Sequence, residues 1–215
     1  MLKLHTYFRS SAAFRVRIAL NLKGLEYESI PVHLLRNGGE QLQDAYRALN
    51  PSALVPTLED GDTLLTQSLA IIEYLEEKYP PNPLLPADTA ARARVRSLAL
   101  DIACEIHPLN NLRVLKYLKN DLGLPEETRA EWYRHWVALG LQAFETRLAR
   151  DPATGRFCHG DTPTLADICL VPQIFNAQRF NVDLAPYPTT MAVHARCMQL
   201  PAFADAQPQR QPDAE

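Results

Sequence analysis

The run Tyr79-Pro80-Pro81-Asn82-Pro83, with Pro86 close behind it, constrains the fold more than any other stretch of the chain. Proline has no backbone N–H and holds φ near −65°, so neither a helix nor an interior strand passes through such a run. It reads as a stiff, exposed connector. Strand and helix signals alternate before it, and strand signals vanish after it. The 215 residues therefore divide into a mixed α/β domain over residues 1–81, a linker over 82–87 and an all-helical domain over 88–206. Residues 207–215, rich in Gln and Pro, are expected to form a flexible, frayed tail.

In the first domain, Leu2, Leu4 and Thr6 alternate with Lys3 and His5, the period of a half-buried strand. A helix follows over residues 11–23. Phe14, Ile18 and Leu22 step by four, Val16, Ala19 and Leu20 widen the apolar face, Arg15 and Arg17 fall elsewhere, and Gly24 supplies a left-handed stop. Residues 27–32 read as a second strand and 33–40, with Asn37-Gly38-Gly39, as a loop. A short helix near 42–49 is closed by Asn50-Pro51. Val55-Pro56-Thr57-Leu58-Glu59, Asp60-Gly61 and Thr63-Leu64-Leu65-Thr66 give the strongest hairpin signal, because an Asp-Gly pair tolerates positive φ. Gln67-Ser68 starts a third helix with Leu69, Ile72 and Leu75 on a wide apolar face, so the order is βαβαββα.

Beyond the connector, Val95, Leu98, Ala99, Ile102 and Ile106 keep three-and-four spacing within residues 89–120. They predict one long amphipathic helix kinked at Pro108. Residues 125–150 carry a second helical pattern, with Trp132, Trp136, Leu139 and Leu148 on or near one side. Residues 151–163 read as a loop. Thr164-Leu165-Ala166-Asp167 has the spacing of a capping box, which makes Asp167 a structural residue first, and one or two further helices fit residues 187–203.

Composition narrows the functional classes. The chain is 47% hydrophobic and 22% charged, which excludes a disordered or collagen-like chain. Its 22 basic against 25 acidic residues leave a net charge of −3, so no global field recruits nucleic acid or an anionic membrane, and any anion must be caught locally. Cys104, Cys158, Cys169 and Cys197 form no C-x-x-C pair and no zinc-like cluster, so free, mostly buried thiols and no metal are expected. With no signal-like N-terminus and no apolar run approaching the roughly 18 residues of a membrane span, a cytoplasmic, reducing setting follows.

The local anion trap is Arg9-Ser10-Ser11-Ala12-Ala13, where the first strand hands over to the first helix. Unpaired N–H groups and the positive dipole end of a helix start favour a thiolate, carboxylate or phosphate, and a hydroxyl there can hold it. From these residues alone, Ser10 reads first as a plain N-cap. The βαβαββα order with Val-Pro before a hairpin resembles the thioredoxin-like fold. The redox members of that fold open this helix with two cysteines, but here it has none, so any thiol chemistry must borrow its sulfur.

The chain is similar to zeta-class glutathione transferases, and more narrowly to maleylacetoacetate and maleylpyruvate isomerases, along essentially its whole length. The matching segments are Tyr7-Phe8-Arg9-Ser10-Ser11 with Arg15-Val16-Arg17-Ile18-Ala19-Leu20, Ala48-Leu49-Asn50-Pro51, Val55-Pro56-Thr57-Leu58, Gln67-Ser68-Leu69-Ala70-Ile71-Ile72-Glu73-Tyr74-Leu75, and Phe180-Asn181-Val182-Asp183-Leu184-Ala185-Pro186-Tyr187-Pro188. Where the family has Ser-Ser-Cys at the helix start, this chain has Ala12 in third place, so a role for that Cys does not carry over.

The resemblance implies a glutathione transferase fold, glutathione as coenzyme, and cis–trans isomerisation of a maleyl keto acid in aromatic catabolism. It implies Ser10, with Ser11 behind it, as the hydroxyl at the glutathione sulfur. Val55 and a cis Pro56 would meet the cysteinyl part, Gln67 and Ser68 the γ-glutamyl carboxylate, and Gln41 the glycyl end. His107 and Asn111, placed four apart on one helical face, are further candidate contacts. Arg9, Arg113 and Arg179 would hold the carboxylates of a small dicarboxylate substrate, Arg9 also acting at the reacting centre. A homodimer is implied. The alternatives are a transferase or dehalogenase of small α-halo acids, and a non-catalytic adapter on the same fold.

Overall fold

The structure is a computed structural model describing residues 1–215. It contains two compact units, one of Met1–Leu84 with Leu200–Glu215 and one of Leu85–Gln199. The change from the first to the second falls inside the expected linker. The C-terminal end departs from expectation: residues 200–206 leave the helical domain, and 207–215 fold onto the first unit instead of fraying. The physical reason is that donors of the first unit meet backbone carbonyls of this segment, and one of its prolines is buried. Asn21 Nδ2 donates to Ala202 O at 3.0 Å, Arg17 Nε to Ala206 O at 3.1 Å, and Pro208 is buried.

The first unit holds a sheet of β1 (Leu2–Thr6), β2 (Tyr27–Pro31), β3 (Thr57–Asp60) and β4 (Thr63–Thr66) in the order β2-β1-β3-β4. β1 runs parallel to β2, with Leu2 opposite Tyr27, and antiparallel to β3, with Leu4 opposite Leu58. β3 and β4 form the expected hairpin around Gly61, at φ +60°. The second face of β1 is not solvated as the alternation predicted, because Glu59 and the Tyr46 ring lie against His5. His5 is buried, with Nε2 2.5 Å from Glu59 Oε1, and this bond holds the Glu59 carboxyl below the usual range.

Helix α1 (Ser11–Lys23) packs on α3 (Ser68–Lys78), and the short α2 (Asp44–Leu49) lies between β2 and β3 in the chain. Gly24 closes α1 at φ +67°, donating to Asn21 O and Leu20 O. Phe14, Val16, Ile18 and Leu20 are essentially inaccessible, and full burial of each such side chain contributes about 1.5–3 kcal/mol. Arg15 and Arg17, expected off the apolar face, are buried as well, at 2% and 0% exposure. Helix α9 (Pro201–Ala204) packs on α1, so this helix is covered on more sides than its apolar pattern required. The connector is not free either. The buried Lys23 ammonium donates to Tyr79 O, Pro81 O and Asn82 O and pairs with Glu76 at 2.9 Å.

Asp60 ties the hairpin to the end of α3, its Oδ2 accepting from Tyr74 Oη, Lys78 Nζ and Tyr79 Oη at 3.0, 2.7 and 2.9 Å. The Lys78 bond foremost holds this carboxyl below the ordinary value of 3.8. A depressed folded pKa means stabilisation that is present above the unfolded value and lost as pH falls through the folded one. Asp60→Asn is therefore expected to lower the urea midpoint at pH 7, and the gap to wild type should close in acid below about pH 4. A gap that persists in strong acid would deny the charge this role.

The second unit is helical. The long helix expected over 89–120 is broken, not kinked. α4 (Thr89–Leu100) passes into a π-helical turn at Asp101–Ile106, a 3-10 turn at His107–Asn110, and then α5 (Leu112–Asn120). Pro108 offers no N–H to an α-helical ladder, and Asn111 is extended at ψ 147°, so it starts a new helix. α6 (Glu126–Arg150) buries Tyr133, Val137, Leu141, Phe144 and Leu148, while Leu139 is 56% exposed. Its apolar stripe thus lies to one side of the expected Trp132, Trp136 and Leu139.

α7 (Leu165–Arg179) packs against α4 and opens on the expected capping box. Asp167 is fully buried and accepts from Thr164 N and Oγ1 and from Cys158 N, at 2.8, 2.9 and 2.8 Å. Burial pushes its carboxyl up, against these bonds. The carboxylate of Glu145, on α6, accepts the N–H groups of Thr189 and Thr190 in the first turn of α8 (Pro188–Cys197). Cys158, Cys169 and Cys197 are buried free thiols, and Cys104 is exposed. No helix is long and apolar enough to cross a membrane.

Candidate functional site

The start of α1 is organised by its own first residues. Ser10 is extended (φ −72°, ψ 117°) and its Oγ accepts the Ala13 N–H at 3.2 Å, the geometry of an N-cap. A hydroxyl accepting at its oxygen still carries one O–H to donate. Ser10 is partly accessible, whereas Ser11 is buried at 5% exposure. Arg9 is exposed, its guanidinium 4.8 Å from the centroid of the Phe8 ring.

The turn that delivers Ser10 is held by a residue the sequence pattern missed. Arg17 donates to Thr6 Oγ1 at 3.0 Å, Tyr7 O at 3.4 Å and Phe8 O at 3.0 Å, while Ser10 N–H donates to the same Tyr7 O at 2.9 Å. Desolvation lowers the Arg17 pKa to about 10, opposed by the charges of Tyr27 and Asp213. Tyr7 and Phe8 join Val32, Tyr46 and Val55 in one apolar cluster, so the ends of β1 and β2 meet the loop before β3.

That loop carries Val55 and Pro56, both buried, with a cis bond between them, as the resemblance implied. A small network braces it. Tyr46 Oη donates to Leu54 O at 2.7 Å and lies 2.9 Å from Thr57 Oγ1, and Asn50 Nδ2 donates to Leu54 O at 2.8 Å. Burial pushes the Tyr46 phenol up, so it stays a neutral donor.

At the start of α3, Gln67 sits at φ +70°, ψ 114°, a left-handed value that costs a non-glycine residue on the order of 1–3 kcal/mol and tends to persist at functional sites. No side chain caps this helix. Ser68 is buried, and its Oγ accepts from Arg15 Nη1 at 3.4 Å, joining the second turn of α1 to the start of α3. Gln41 is buried in the 3-10 turn Glu40–Leu42, and its Oε1 has no hydrogen-bond partner. Gly39 is favoured there by its φ of +119°, which L side chains rarely adopt, and a Cβ would also come within 2.7 Å of the Gln41 amide.

Ser10, Ser11, Gln41, Val55, Pro56, Gln67 and Ser68 therefore all belong to the first unit. His107, Asn111, Arg113 and Arg179 belong to the second. His107 and Asn111 do not share a continuous helical face, because the 3-10 turn ends between them. Asn111 is the N-cap of α5, its Oδ1 accepting the Arg113 N–H at 3.1 Å. Arg113 and Arg179 are both exposed. The Arg179 guanidinium lies 5.5 Å from the Phe180 ring, which stacks on Tyr133 at 3.6 Å.

The family model for the glutathione S-transferase N-terminal domain matches residues 4–83, and that for the C-terminal domain matches 128–199. A probable maleylacetoacetate isomerase of Vibrio cholerae is 54% identical over 98% of this chain and 97% of its own length. A holo maleyl pyruvate isomerase, a bacterial zeta-class glutathione S-transferase, superposes with a TM-score of 0.96 at 52% identity, covering 99% of this chain and 100% of that one. A maleylacetoacetate isomerase of Methylobacterium extorquens AM1, solved with bound malonate and GSH, gives a TM-score of 0.95 at 46% identity over 99% of each.

Proposed function

The chain belongs to the glutathione S-transferase family, in its zeta class, and from that premise we propose that it is a glutathione-dependent cis–trans isomerase of a maleyl keto acid. The substrate is maleylacetoacetate or maleylpyruvate, and the product its fumaryl isomer. The observation that carries the reading is the partly accessible Ser10 hydroxyl, which caps α1 through its oxygen and keeps its O–H for an anion.

The first unit fits glutathione. Gln41 offers a buried, unpartnered acceptor for an N–H, α3 offers N–H groups that no side chain caps, and Ser68 places a hydroxyl beside them. When bound, glutathione supplies the thiolate that adds to the cis double bond and leaves again after rotation. A free thiol has a pKa near 8.5, and the Ser10 O–H with the α1 dipole lowers it by stabilising the charged form. Ser11, being buried, stands behind Ser10 in that role. Gln67 and Ser68 hold the γ-glutamyl carboxylate, the Val55 backbone beside Pro56 meets the cysteinyl part, and Gln41 the glycyl end. His107 and Asn111 are assigned as further contacts.

Arg9, Arg113 and Arg179 are assigned to the substrate carboxylates and to the charge that develops on the adjacent carbonyl. Their fixed charge and planar donor fork suit a dicarboxylate, and malonate in the Methylobacterium relative is a ligand of that kind. A homodimer and a cytoplasmic setting complete the proposal, the latter suited to four free thiols.

The test follows the conjugated absorbance of maleylacetoacetate and of maleylpyruvate with and without glutathione. Turnover equally fast without glutathione would refute the proposal. Arg179→Ala is expected to raise KM for the keto acid about 10- to 100-fold, the worth of a lost charge-assisted bond, with a smaller change in kcat. An unchanged KM would remove Arg179 from the site.

A further inference from the structure

We propose that the C-terminal segment is a strap that positions the Ser10 turn, with Asp213 as the positioning residue that fastens it; this rests on the isomerase reading of Ser10. Asp213 Oδ2 accepts the Phe8 N–H at 3.0 Å, across a sequence separation of 205 residues. Its second oxygen is buried without a hydrogen-bond partner, and its charge acts on the Arg17 guanidinium. Arg17 in turn donates to Tyr7 O and Phe8 O on the turn and to Ala206 O at the root of the strap. The turn is thus held through its carbonyls by Arg17 and through an N–H by Asp213. Ser10 is one step away, donating its own N–H to Tyr7 O.

The strap is braced at intervals. Gln211 Nε2 donates to Asp205 O and Gln207 O, both at 2.9 Å. At its end, Glu215 Oε1 lies 2.9 Å from Arg36 Nη2 and 3.3 Å from His33 Nε2. His33 Nδ1 already accepts the N–H groups of Leu35 and Arg36, so the ring proton sits on Nε2, the nitrogen nearer Glu215. His33 also lies edge-on to Tyr7, with centroids 4.9 Å apart. The strap therefore touches both the turn before Ser10 and the loop that contains Gln41.

Such a segment, buried chiefly at Ala206 and Pro208, opens more readily than the core. A hydroxyl that must meet a developing thiolate depends on placement within a fraction of an ångström. Loosening the strap therefore acts on thiol ionisation before it acts on folding.

The experiment uses the full enzyme with Asp213→Ala, Asp213→Asn and a chain ending at Gln211. Hydrogen exchange is measured at residues 7–10. The pKa of enzyme-bound glutathione is read from thiolate absorbance, and kcat and KM are measured for both keto acids. Asp213→Ala and the shortened chain should speed exchange about tenfold and raise the bound thiol pKa by roughly half to one unit. They should also lower kcat at neutral pH severalfold. Asp213→Asn keeps an acceptor for Phe8 N–H and should restore most of the lost kcat. Loss of thermal stability with unchanged exchange at 7–10 or an unchanged thiol pKa would overturn the strap as a positioning device. Wild-type enzyme whose turnover ignores glutathione would overturn the isomerase reading itself, and the strap's catalytic role with it.

Discussion

Arg17→Met is expected to lower the unfolding free energy of the protein by on the order of 1–5 kcal/mol. The side chain is fully buried and serves four acceptors, Thr6 Oγ1, Tyr7 O, Phe8 O and Ala206 O. Leaving a buried acceptor unmade costs about 1–3 kcal/mol, so four of them amount to roughly 4–8 kcal/mol after partial rearrangement. Against this stands the desolvation of the charge, which lowers the Arg17 pKa to about 10 and is worth roughly 3 kcal/mol. Methionine recovers that term but satisfies none of the carbonyls, so the lost bonds win. Arg17→Lys should recover only part, because one ammonium cannot span acceptors on both the turn and the strap. Urea unfolding of the three proteins measures this, and midpoints within error of one another would remove Arg17 as organiser of the turn.

Ser10→Ala is expected to reduce kcat about 10²- to 10³-fold, the usual loss when one donor to a developing anion is removed. It should also remove the α1 cap, at about 1 kcal/mol and a few degrees in Tm. The two effects separate with Ser10→Asp. An aspartate restores the cap and favours the helix dipole, but places a negative charge beside the thiolate. Ser10→Asp should therefore regain stability and be at least as inactive as Ser10→Ala. If Ser10→Ala keeps wild-type kcat and Ser11→Ala does not, the hydroxyl at the sulfur belongs to Ser11.

Most of the first unit, and the start of α7 in the second, is legible because short-range chemistry decides it. Ser10 before an apolar repeat starts α1, Gly24 stops it, Asp60-Gly61 turns the hairpin, and Thr164 with Asp167 caps α7. In each case the deciding groups lie within a few residues of one another. Gln41, Ser68 and Val55 were named by resemblance, and nothing local separates them from ordinary loop and cap residues. His107 and Asn111 illustrate the reverse failure. A spacing of four implies a shared face only on an unbroken α-helix, and the turn at His107–Asn110 removes that condition.

The sequence by itself determined the division at the prolines, the βαβαββα order, the helical second unit and the serine at the head of α1. These follow from backbone φ preferences, caps and apolar periodicity, all of which act locally. Only the tertiary structure decided that Arg15 and Arg17 are interior residues, that Lys23 holds the connector, and that residues 207–215 return to the Ser10 turn. A buried cation is stable only where several carbonyls or carboxylates converge on it from distant segments. Such convergence is a property of the packed chain, and no window of sequence contains it.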